Sequence, residues 1–443
     1  MTSITDAMVT GMSDTARQGL RDQLTHAEGG LSLTMSTACS GTDVCVTAAG
    51  SLLSSLQRIL GLDGRMVISQ GFACELEGFK QDFLHTVRQV PVVFKDILHL
   101  GCSMSVNSVT QREEAVKTPD ILVIGFSCKD LSSLNPKKKQ TTSLSSGSGS
   151  SGSTLRGTLE ICSKHQPRLL IMENVPNVMR DGPAEDEEDD ELMKNWPFLV
   201  SSFASIGYAV HKKLINADQC GFPQSRGRIY MCACRPTSTT EEMLQAFDKA
   251  YLAIQNVDAL KLTDFLLTDE QVNEWDMRST KRLRTNEKPE GVTWVSHHSA
   301  VFREKNLEWP PPPEMTRRVQ HQDVHRPLTV REAEVLIFHD QVSPLDETSG
   351  EEEVLDLSQD IRRVRPFKGK SCCLTPHGIH WMRRAGRRMR GEEMLHLQGL
   401  FVADRADLFR FSDSQLRDLA GNAFNAGAFA MALLAALQVV DFS

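Results

Sequence analysis

The feature that most constrains the fold is an alternation of short apolar segments with segments of helical periodicity. The clearest apolar segment is 120–126, a continuous run typical of a strand buried on both faces of a parallel sheet. Further strand candidates are 31–38, 65–74, 92–97, 168–172 and 227–233. Helical spacing follows the first of them, at 44–60. The alternation predicts an α/β fold, a doubly wound and mostly parallel sheet with helices on both faces.

Four chemically capable residues follow these predicted strands. Glu75 ends the second strand, Asp96 the third, Cys128 follows the fourth and Glu173 the fifth. Because ligands of such sheets bind at the carboxyl ends of the strands, we expect these side chains to meet at one edge. Three of them also have an ordinary structural explanation: a buried strand-end thiol for Cys128, a helix cap for Glu75 and a turn acid for Asp96.

At 443 residues the chain is long enough for two or three domains. We predict an N-terminal tail at 1–30, a first domain at 31–235, a less regular second domain at 236–388 and a return to the first domain at 389–443. The second domain is predicted where clear strand–helix units give way to a proline run and basic clusters. Helical periodicity returns after Arg390.

The net charge of −8 conceals an uneven distribution. The stretch 361–390 has ten Lys or Arg residues and no acid, whereas much of the acidity lies in the run 185–191. Local potential steers a polyanion more than total charge does, so the acidic sum does not exclude a nucleic acid. A stretch of this positive density favours an anionic partner over a merely solvated face.

The cysteines indicate a reducing, intracellular compartment. There are eleven, an odd number, and the only close pairs are Cys232 with Cys234 and Cys372 with Cys373. These pairs lack zinc-site spacing, so we predict no metal. No run approaches the ~18 apolar residues of a membrane helix, and the Ala-rich segment 426–440 is predicted to be a buried helix of a soluble protein.

A basic triplet and a Ser/Gly-rich run occupy the segment 135–153, directly after Cys128. This composition is typical of a mobile loop. A catalytic lid is expected there, with an idle flexible insertion as the alternative.

Six sequence segments, in order, connect these residues to one family. The segment 121–136 resembles the catalytic loop of the DNA (cytosine-5) methyltransferases, and is most like that of their de novo branch. The other segments similar to family motifs are 172–175 (Met-Glu-Asn-Val), 224–228 (Gln-Ser-Arg-Gly-Arg), 374–376, 390–399 and 420–424. The resemblance therefore extends over nearly the whole chain.

The resemblance implies an enzyme that transfers a methyl group from S-adenosyl-L-methionine to C5 of cytosine in double-stranded DNA. Cys128 would be the nucleophile that adds to C6 of a flipped-out cytosine. Glu173 would contact N3 and the exocyclic amine, and Asn174 would brace the catalytic loop. Arg226 and Arg228 would support the site and hold the covalent intermediate.

For the cofactor, the resemblance implies a site built from a turn and two strand ends. Glu75 would bind the ribose hydroxyls, Asp96 the adenine amine, Ile97 the ring, and Asn422 would lie near the methionine end. The turn residues expected to approach the methionine moiety are Cys39, Ser40, Gly41 and Thr42. The domain at 31–235 would then be the catalytic domain, and that at 236–388 the target-recognition domain.

The chain departs from the family pattern at four positions. Ser127 replaces a proline that would fix φ before the nucleophile, and Lys129 replaces an amide. The Lys129 ammonium would lower the pKa of the thiol or contact a phosphate. In the cofactor turn, Cys39 replaces an aromatic residue and Asp43 a glycine. The Asp43 carboxylate would repel the cofactor carboxylate or face its cationic groups.

Two alternatives remain open. The first is methylation of cytosine in RNA, since a tRNA-directed branch resembles this family closely. The second is a methyltransferase-like DNA-binding protein that has lost turnover, which the departures at Ser127, Lys129 and Asp43 favour. A nuclear location is expected if the source is a eukaryote. The oligomeric state and the target sequence are left unpredicted.

Overall fold

The computed structural model describes most of the chain. The described residues are 1–25, 30–62, 66–131, 144–147, 149–179, 194–278, 294–323 and 325–442. Most of the predicted lid at 135–153 and the whole acidic run at 185–191 lie outside them.

The chain forms thirteen strands and fifteen helices in its described part. The strands are β1 Leu31–Ala38, β2 Met66–Cys74, β3 Val93–Phe94, β4 Met104–Val106, β5 Glu113–Ala115, β6 Ile121–Ile124, β7 Leu169–Asn174, β8 Ala209–Asn216, β9 Gly227–Cys234, β10 Glu353–Asp356, β11 Phe367–Lys368, β12 His380–Met382 and β13 Arg387–Arg388. The helices are α1 Thr2–Thr10, α2 Asp14–Thr25, α3 Val44–Leu60, α4 Gly78–Thr86, α5 Gly149–His165, α6 Asn195–Ser205, α7 Thr240–Ala253, α8 Asp269–Arg278, α9 Trp294–Glu304, α10 Pro313–Gln320, α11 Val330–Val342, α12 Gly391–Leu397, α13 Arg405–Leu408, α14 Asp413–Asn422 and α15 Ala426–Leu437.

Seven strands form the main sheet, in the order β3-β2-β1-β6-β7-β9-β8. All are parallel except β9, which runs antiparallel to both of its neighbours. The predicted α/β fold with a mostly parallel sheet is confirmed. The order reverses between β1 and β6, and in such sheets this switch point is where ligands bind.

Helices cover both faces of the sheet, as the continuous apolar strands predict. Along β6, Ile121 and Val123 belong to one apolar core, while Leu122 and Ile124 belong to a second core on the other face. The first core packs against α3 and α15, and the second contains residues of α5 and α6. A sheet buried on both sides leaves the strand ends as the accessible edge.

The predicted strand ends need small corrections. β7 continues through residue 174, so Glu173 and Asn174 are its last two residues instead of following it. β3 has only two residues, and Asp96 caps a short 3-10 helix, Ile97–His99, by accepting a hydrogen bond from the Leu98 amide. The sequence interpretation missed β8, because its exposed face is polar and lysine-rich.

The predicted N-terminal tail is wrong in this structure, because its first 25 residues form α1 and α2. Ile4, Met8, Val9 and Met12 are at most 2% exposed and belong to the core beneath the main sheet. Their spacing places them on one stripe of α1 and its end, and α1 packs against α3. These residues therefore pack as part of the domain that contains the main sheet.

The second domain has its own core, but it begins later than the predicted residue 236. Helix α7 packs on β8 and α15, so it belongs to the main-sheet layer. A separate apolar core runs from Val301 to Trp381, beside an antiparallel sheet in the order β11-β10-β12-β13. A locally irregular pattern had suggested an early boundary, whereas packing places α7 with the first domain.

Among the described residues, one helical stretch, Asp413–Leu437, is long and apolar enough to cross a membrane. Its most apolar window has a mean hydropathy of 1.4 and is 94% buried inside the protein. It contains α14 and α15, and every residue of α15 is buried. The predicted buried helix near the C-terminal end is confirmed.

Candidate active site

Cys128 lies on a short segment after β6 that is held at both ends by asparagine side chains. Asn174 Nδ2 donates to the carbonyl of Phe126 at 3.0 Å, and Asn177 Nδ2 donates to the carbonyl of Leu131 at 3.0 Å. Cys128 itself is partly buried. The bracing predicted for Asn174 is thus present as a contact, and Asn177 supplies a second brace.

Residues in the first half of α5 also form hydrogen bonds with this segment. The Ser127 amide donates to Thr154 Oγ1 at 3.0 Å. The Asp130 amide donates to Ser151 Oγ at 3.2 Å, and the Ser151 amide donates back to Asp130 Oδ2 at 2.8 Å. A proline at position 127 would have no N–H to donate, so serine is compatible with this attachment in a way that proline is not.

Glu173 faces Arg228 and Arg226 at the same edge. Arg228 Nε lies 3.0 Å from Glu173 Oε1, and Arg226 Nη2 lies 3.9 Å from it. The pairing of β7 with β9 produces this meeting, because Glu173 is opposite Tyr230. These N–H groups are not directed at Oε1, which is buried and has no hydrogen-bond partner among the described residues. Arg228 and Arg226 therefore compensate the charge of this oxygen without a well-directed hydrogen bond.

Arg226 ties together segments that are distant in the sequence. Its guanidinium donates to the carbonyls of Leu374 and Ala423, each at 2.8 Å, and to that of Gly421 at 3.4 Å. It is only 3% exposed. Arg228 donates to Cys373 Sγ at 3.5 Å. These contacts are compatible with the supporting part of the role predicted for Arg226, while the predicted contact with a covalent intermediate stays a prediction.

The electrostatics of the site oppose ionisation of Cys128. Burial raises the pKa of its thiol, and the charge of Glu173 raises it further. Arg228 and Arg226 act in the opposite direction without reversing the shift. The thiol is therefore protonated near neutral pH in the ligand-free protein. Lys129 was expected either to lower the pKa of Cys128 or to contact a phosphate. It is exposed, and it does not contribute to the pKa shift of Cys128.

The predicted cofactor residues meet at the ends of β1, β2 and β3. Glu75 accepts hydrogen bonds from the amides of Gly41 at 3.0 Å and Leu76 at 2.9 Å, which orient its carboxylate. Burial raises the pKa of the Cys39 thiol, and the charges of Glu75 and Asp96 raise it further, so both acids lie near Cys39. The structure brings this predicted group together.

The turn after β1 has the open space and spare polar group that a nucleoside cofactor requires. Gly41 has φ +56°, and a Cβ there would meet nothing within 4 Å. Thr42 Oγ1 is buried without a hydrogen-bond partner among the described residues. Ile97 is 6% exposed beside Asp96, whereas Leu76 is 65% exposed next to Glu75. These residues fit S-adenosyl-L-methionine.

Asp43 does not face this space, contrary to both expectations for it. It is 1% exposed, its Oδ1 accepts a hydrogen bond from Thr37 at 2.6 Å, and its Oδ2 accepts one from Gln70. Burial raises its pKa to about 6, against the hydrogen bonds from Thr37 and Gln70 and the charge of Arg88. Its backbone keeps a left-handed φ of 56°, so the acid preserves a glycine-like turn.

Asn422 is exposed at the end of α14, where it donates to the carbonyl and carboxylate of Asp418, both at 3.0 Å. Asp418 in turn pairs with Lys80 at 2.9 Å. Lys80 is 5% exposed, and Glu75 raises its pKa despite the opposing effect of burial. Asn422 is thus linked to the predicted cofactor edge through an ion pair.

Sequence reasoning missed four residues of this region: Leu76, Lys80, Asn177 and Cys373. Leu76 could have been found, since it directly follows the strand-end acid Glu75. Asn177 follows shortly after Asn174 in the sequence, which is a weaker indication of its role. Cys373 leaves no local signature, because its arginine partners lie far away in the sequence. Lys80 has one nearby partner, Glu77, but its link to Asp418 is distant.

The basic stretch 361–390 is mostly neutralised within the protein, which corrects the expectation of a free anion-binding surface. Arg390 is 1% exposed and pairs with Asp276 and Asp323. The other ion-paired cations are Arg362, Lys368, Lys370, Arg383, Arg384, Arg387 and Arg388. Arg363 and Arg365 have no ion pair within the described part of the chain.

Comparison with known proteins agrees with this geometry. The family model for C-5 cytosine-specific DNA methylase matches residues 92–428. This chain belongs to the C-5 cytosine-specific DNA methylase family. The match contains the segment carrying Cys128, the strand pair carrying Glu173 and Arg228, and the basic stretch. It begins after β1 and β2, so the turn at 39–43 lies outside it.

Two fungal relatives of this DNA methylase chain are named DNA (cytosine-5-)-methyltransferase DMT5. That of Cryptococcus neoformans var. grubii is 26% identical over 452 residues, and that of Verticillium dahliae is 22% identical over 488 residues. Each alignment covers 94% of this chain but 17% and 20% of the relative, respectively. The chain thus spans about a fifth of the length of these relatives.

A bacterial relative, the type II methyltransferase M.HhaI of Haemophilus parahaemolyticus, is 27% identical over 191 residues, which are 42% of this chain and 50% of M.HhaI. Among solved structures, the Entamoeba histolytica methyltransferase EhMeth aligns over 92% of this chain and 98% of its own, with 9% identity and a TM-score of 0.47. S. pombe Dnmt2 aligns over 91% and 97%, with 10% identity and a TM-score of 0.42. The fold assignment rests on the strand order above.

Proposed function

We propose that this chain is the catalytic part of an S-adenosyl-L-methionine-dependent DNA (cytosine-5-)-methyltransferase, with Cys128 as its nucleophile. The observation that carries the proposal is the ion pair of Glu173 with Arg228, at the sheet edge where the Cys128 segment is anchored. A carboxylate in this position can accept a hydrogen bond from the exocyclic amine of a cytosine, and a second one from N3 once N3 is protonated. Family membership supplies the substrate class.

The chemistry requires covalent activation, because C5 of cytosine is a weak nucleophile. The Cys128 thiol loses its proton and its sulfur adds to C6, which makes C5 electron-rich. Glu173 stabilises the protonated or hydrogen-bonded N3 during this addition, and Arg228 holds the Glu173 carboxylate in place. Once C5 has taken up the methyl group, its proton passes to a water molecule, which restores the C5–C6 double bond and expels the thiolate of Cys128.

The target base has to leave the duplex before Cys128 can reach C6, at a cost of a few kcal/mol. The segment 126–131 is held by Asn174 and Asn177, so the nucleophile is presented on a braced segment while the base moves to it. The second domain would contact phosphates and base edges. Arg363 and Arg365 are candidate phosphate contacts there.

The proposed cofactor site places a nucleoside against the ends of three strands. Glu75 would hold the ribose, Asp96 and Ile97 the adenine, and the turn around Gly41 and Thr42 the methionine moiety. When bound, S-adenosyl-L-methionine supplies the methyl group to C5. Cys39, Ser40 and Asn422 would line the same space.

Trapping on DNA that contains 5-fluorocytosine tests the mechanism, because fluorine at C5 blocks the final elimination. We expect a covalent protein–DNA adduct that depends on the cofactor and is lost in Cys128→Ser. A Cys102→Ser variant, which changes an exposed thiol outside the site, should form the adduct normally. Cofactor binding without any adduct would instead support the methyltransferase-like binding protein.

Competition between double-stranded DNA and tRNA, with a tritiated methyl donor, tests the substrate. We expect label in DNA, because the family match is to cytosine-specific DNA methylases. Label in tRNA alone would overturn the substrate assignment while leaving the roles of Cys128 and Glu173 intact. If the source is a eukaryote, the proposed substrate makes a nuclear location the expected one, and imaging of a tagged protein would check it.

A further inference from the structure

The active site contains a second thiol, Cys373, between the two arginines. Its Sγ lies 3.5 Å from Arg228 Nη2 and 3.9 Å from Arg226 Nη1, and both groups donate to it. Cys373 is partly buried, on the segment that leads from β11 to β12. Neither the proposed reaction nor the sequence motifs use this residue.

A charge imbalance surrounds this thiol. Arg226 and Arg228 carry two positive charges, and Glu173 is the one carboxylate within 4 Å of them in the described part of the chain. With both thiols protonated, the cluster has one uncompensated positive charge in a site screened from water. Placing two guanidinium donors on a sulfur atom is the arrangement that stabilises a thiolate.

The same arginines lower the pKa of both thiols, but the net pKa shifts of the two thiols are opposite. Burial opposes ionisation of Cys373, but Arg228 and Arg226 outweigh it and lower its pKa. The pKa of Cys128 remains raised by burial and by Glu173, although the same arginines act on it. Arg228 interacts electrostatically with both sulfur atoms. Of the two thiols, Cys373 receives hydrogen bonds from the guanidinium groups in the described contacts, and Cys128 does not.

We propose that Cys373, as a thiolate, is the resting counter-ion of Arg226 and Arg228, and thereby keeps Cys128 protonated in the DNA-free enzyme. Cys373 is a positioning residue in this scheme: it acts on the nucleophile through the arginines. Its thiolate neutralises the charge that would otherwise stabilise the thiolate of Cys128. The inference rests on the proposed role of Cys128 as nucleophile.

The other ionisable groups near the two thiols do not supply this charge. Tyr230 and Cys45 are buried with raised pKa values, which leaves them neutral. The adjacent thiol Cys372 is likewise buried with a raised pKa. His380 contacts the backbone carbonyl of Cys373, and burial lowers its pKa.

Alkylation of the free protein by iodoacetamide tests the proposal without DNA or cofactor. In this reaction a thiolate attacks the methylene carbon, a thioether forms and iodide leaves. Mass spectrometry reports the rate at each cysteine as a function of pH, with the exposed Cys102 as the reference for the reagent. In the wild type, we expect the midpoint of Cys373 to lie below that of Cys128.

In Cys373→Ser, we expect the midpoint of Cys128 to fall. A fall of one pH unit would raise the thiolate fraction at pH 7 about tenfold. The alkylation rate would rise about threefold, because a less basic thiolate is a weaker nucleophile. Cys373→Ala should give the same shift, since it also removes the thiolate. Thermal unfolding checks that both variants are folded.

Cys372→Ser is the matched control, because it removes a neighbouring thiol that contacts neither arginine in the described contacts. Its Cys128 profile should equal that of the wild type. An unchanged Cys128 midpoint in folded Cys373→Ser would overturn the proposal, whether or not Cys373 itself reacts. If the midpoint shifts but no adduct forms on fluorocytosine DNA, the charge coupling stands and the proposed function fails.

Discussion

Asp43 shows how a single charged residue can occupy a position where the family resemblance predicts glycine. Its backbone adopts the left-handed conformation that glycine favours, and its side chain turns away from the cofactor turn toward Thr37 and Gln70. An αL conformation in a residue other than glycine is tolerated best by Asn and Asp. The substitution thus preserves the turn but places an acid in a buried site.

Asp43→Asn should stabilise the protein more at pH 8 than at pH 4. The pKa of Asp43 is about 6 in the folded protein and 3.8 ordinarily, so its contribution to stability is greatest below pH 3.8 and is lost as the pH rises through 6. The loss amounts to about 3 kcal/mol. Asparagine stays neutral throughout, so the variant should gain that amount relative to the wild type across this range.

Urea unfolding at the two pH values measures the difference. Asp404→Asn is the control, because Asp404 is exposed and asparagine caps a helix equally well. A gain for Asp43→Asn that is independent of pH would show that the carboxylate is already ionised and well solvated at pH 4.

At the scale of elements, the Cys128 segment is attached to both β7 and α5. The asparagines of β7 and its extension hold its two ends, while α5 accepts the Ser127 amide. The nucleophile is therefore positioned by contacts between elements and not by the conformation of its own segment. This arrangement accounts for the absence of the family's proline before the cysteine.

Ser127→Pro should slow methyl transfer about fivefold, because the lost hydrogen bond to Thr154 is worth about 1 kcal/mol. Cofactor affinity should be unchanged, since the segment lies apart from the Glu75 edge. Single-turnover rates and cofactor binding separate the two effects. Thr154→Val removes the same acceptor without altering φ and should reproduce the slower rate. Faster transfer in Ser127→Pro would show that a pre-set φ outweighs the hydrogen bond.

At the scale of the whole molecule, the basic stretch joins the domains. Arg390 precedes α12 and pairs with Asp276 at the end of α8 and with Asp323 after α10. Most of the basic residues that suggest a nucleic-acid surface in the sequence form ion pairs within the protein. Within this stretch, Arg363 and Arg365 are the cations without an ion pair in the described part of the chain.

Asp323→Ala should lower the free energy of unfolding by about 3–5 kcal/mol, because it leaves the buried Arg390 guanidinium with one fewer carboxylate. Chemical denaturation measures the change. Asp346→Ala is the matched control: it breaks an exposed pair with Lys368 and should shift the unfolding midpoint little. Equal effects of the two substitutions would contradict the assignment of the Arg390 cluster as a junction between domains.

The local sequence pattern was sufficient to predict the strands and the helix next to the site. β1 and α3 have the predicted bounds, and β6 lies inside its predicted segment, because runs of apolar residues report directly on burial. Placement of Glu75 and Asp96 at one edge followed from the parallel sheet. The N-terminal helices and the later domain boundary were missed, because they depend on what the helices pack against.

The sequence by itself determined the sheet, the order of its motifs and the residues available for chemistry, since these depend on local periodicity and short spacings. Tertiary structure alone decided how those residues are paired. Arg226 meets carbonyls of residues 374 and 423, Cys373 meets both arginines, and Arg390 meets two distant acids. Such partners are separated by tens to nearly two hundred residues, and the charge of a buried group is set by the partners that folding brings to it.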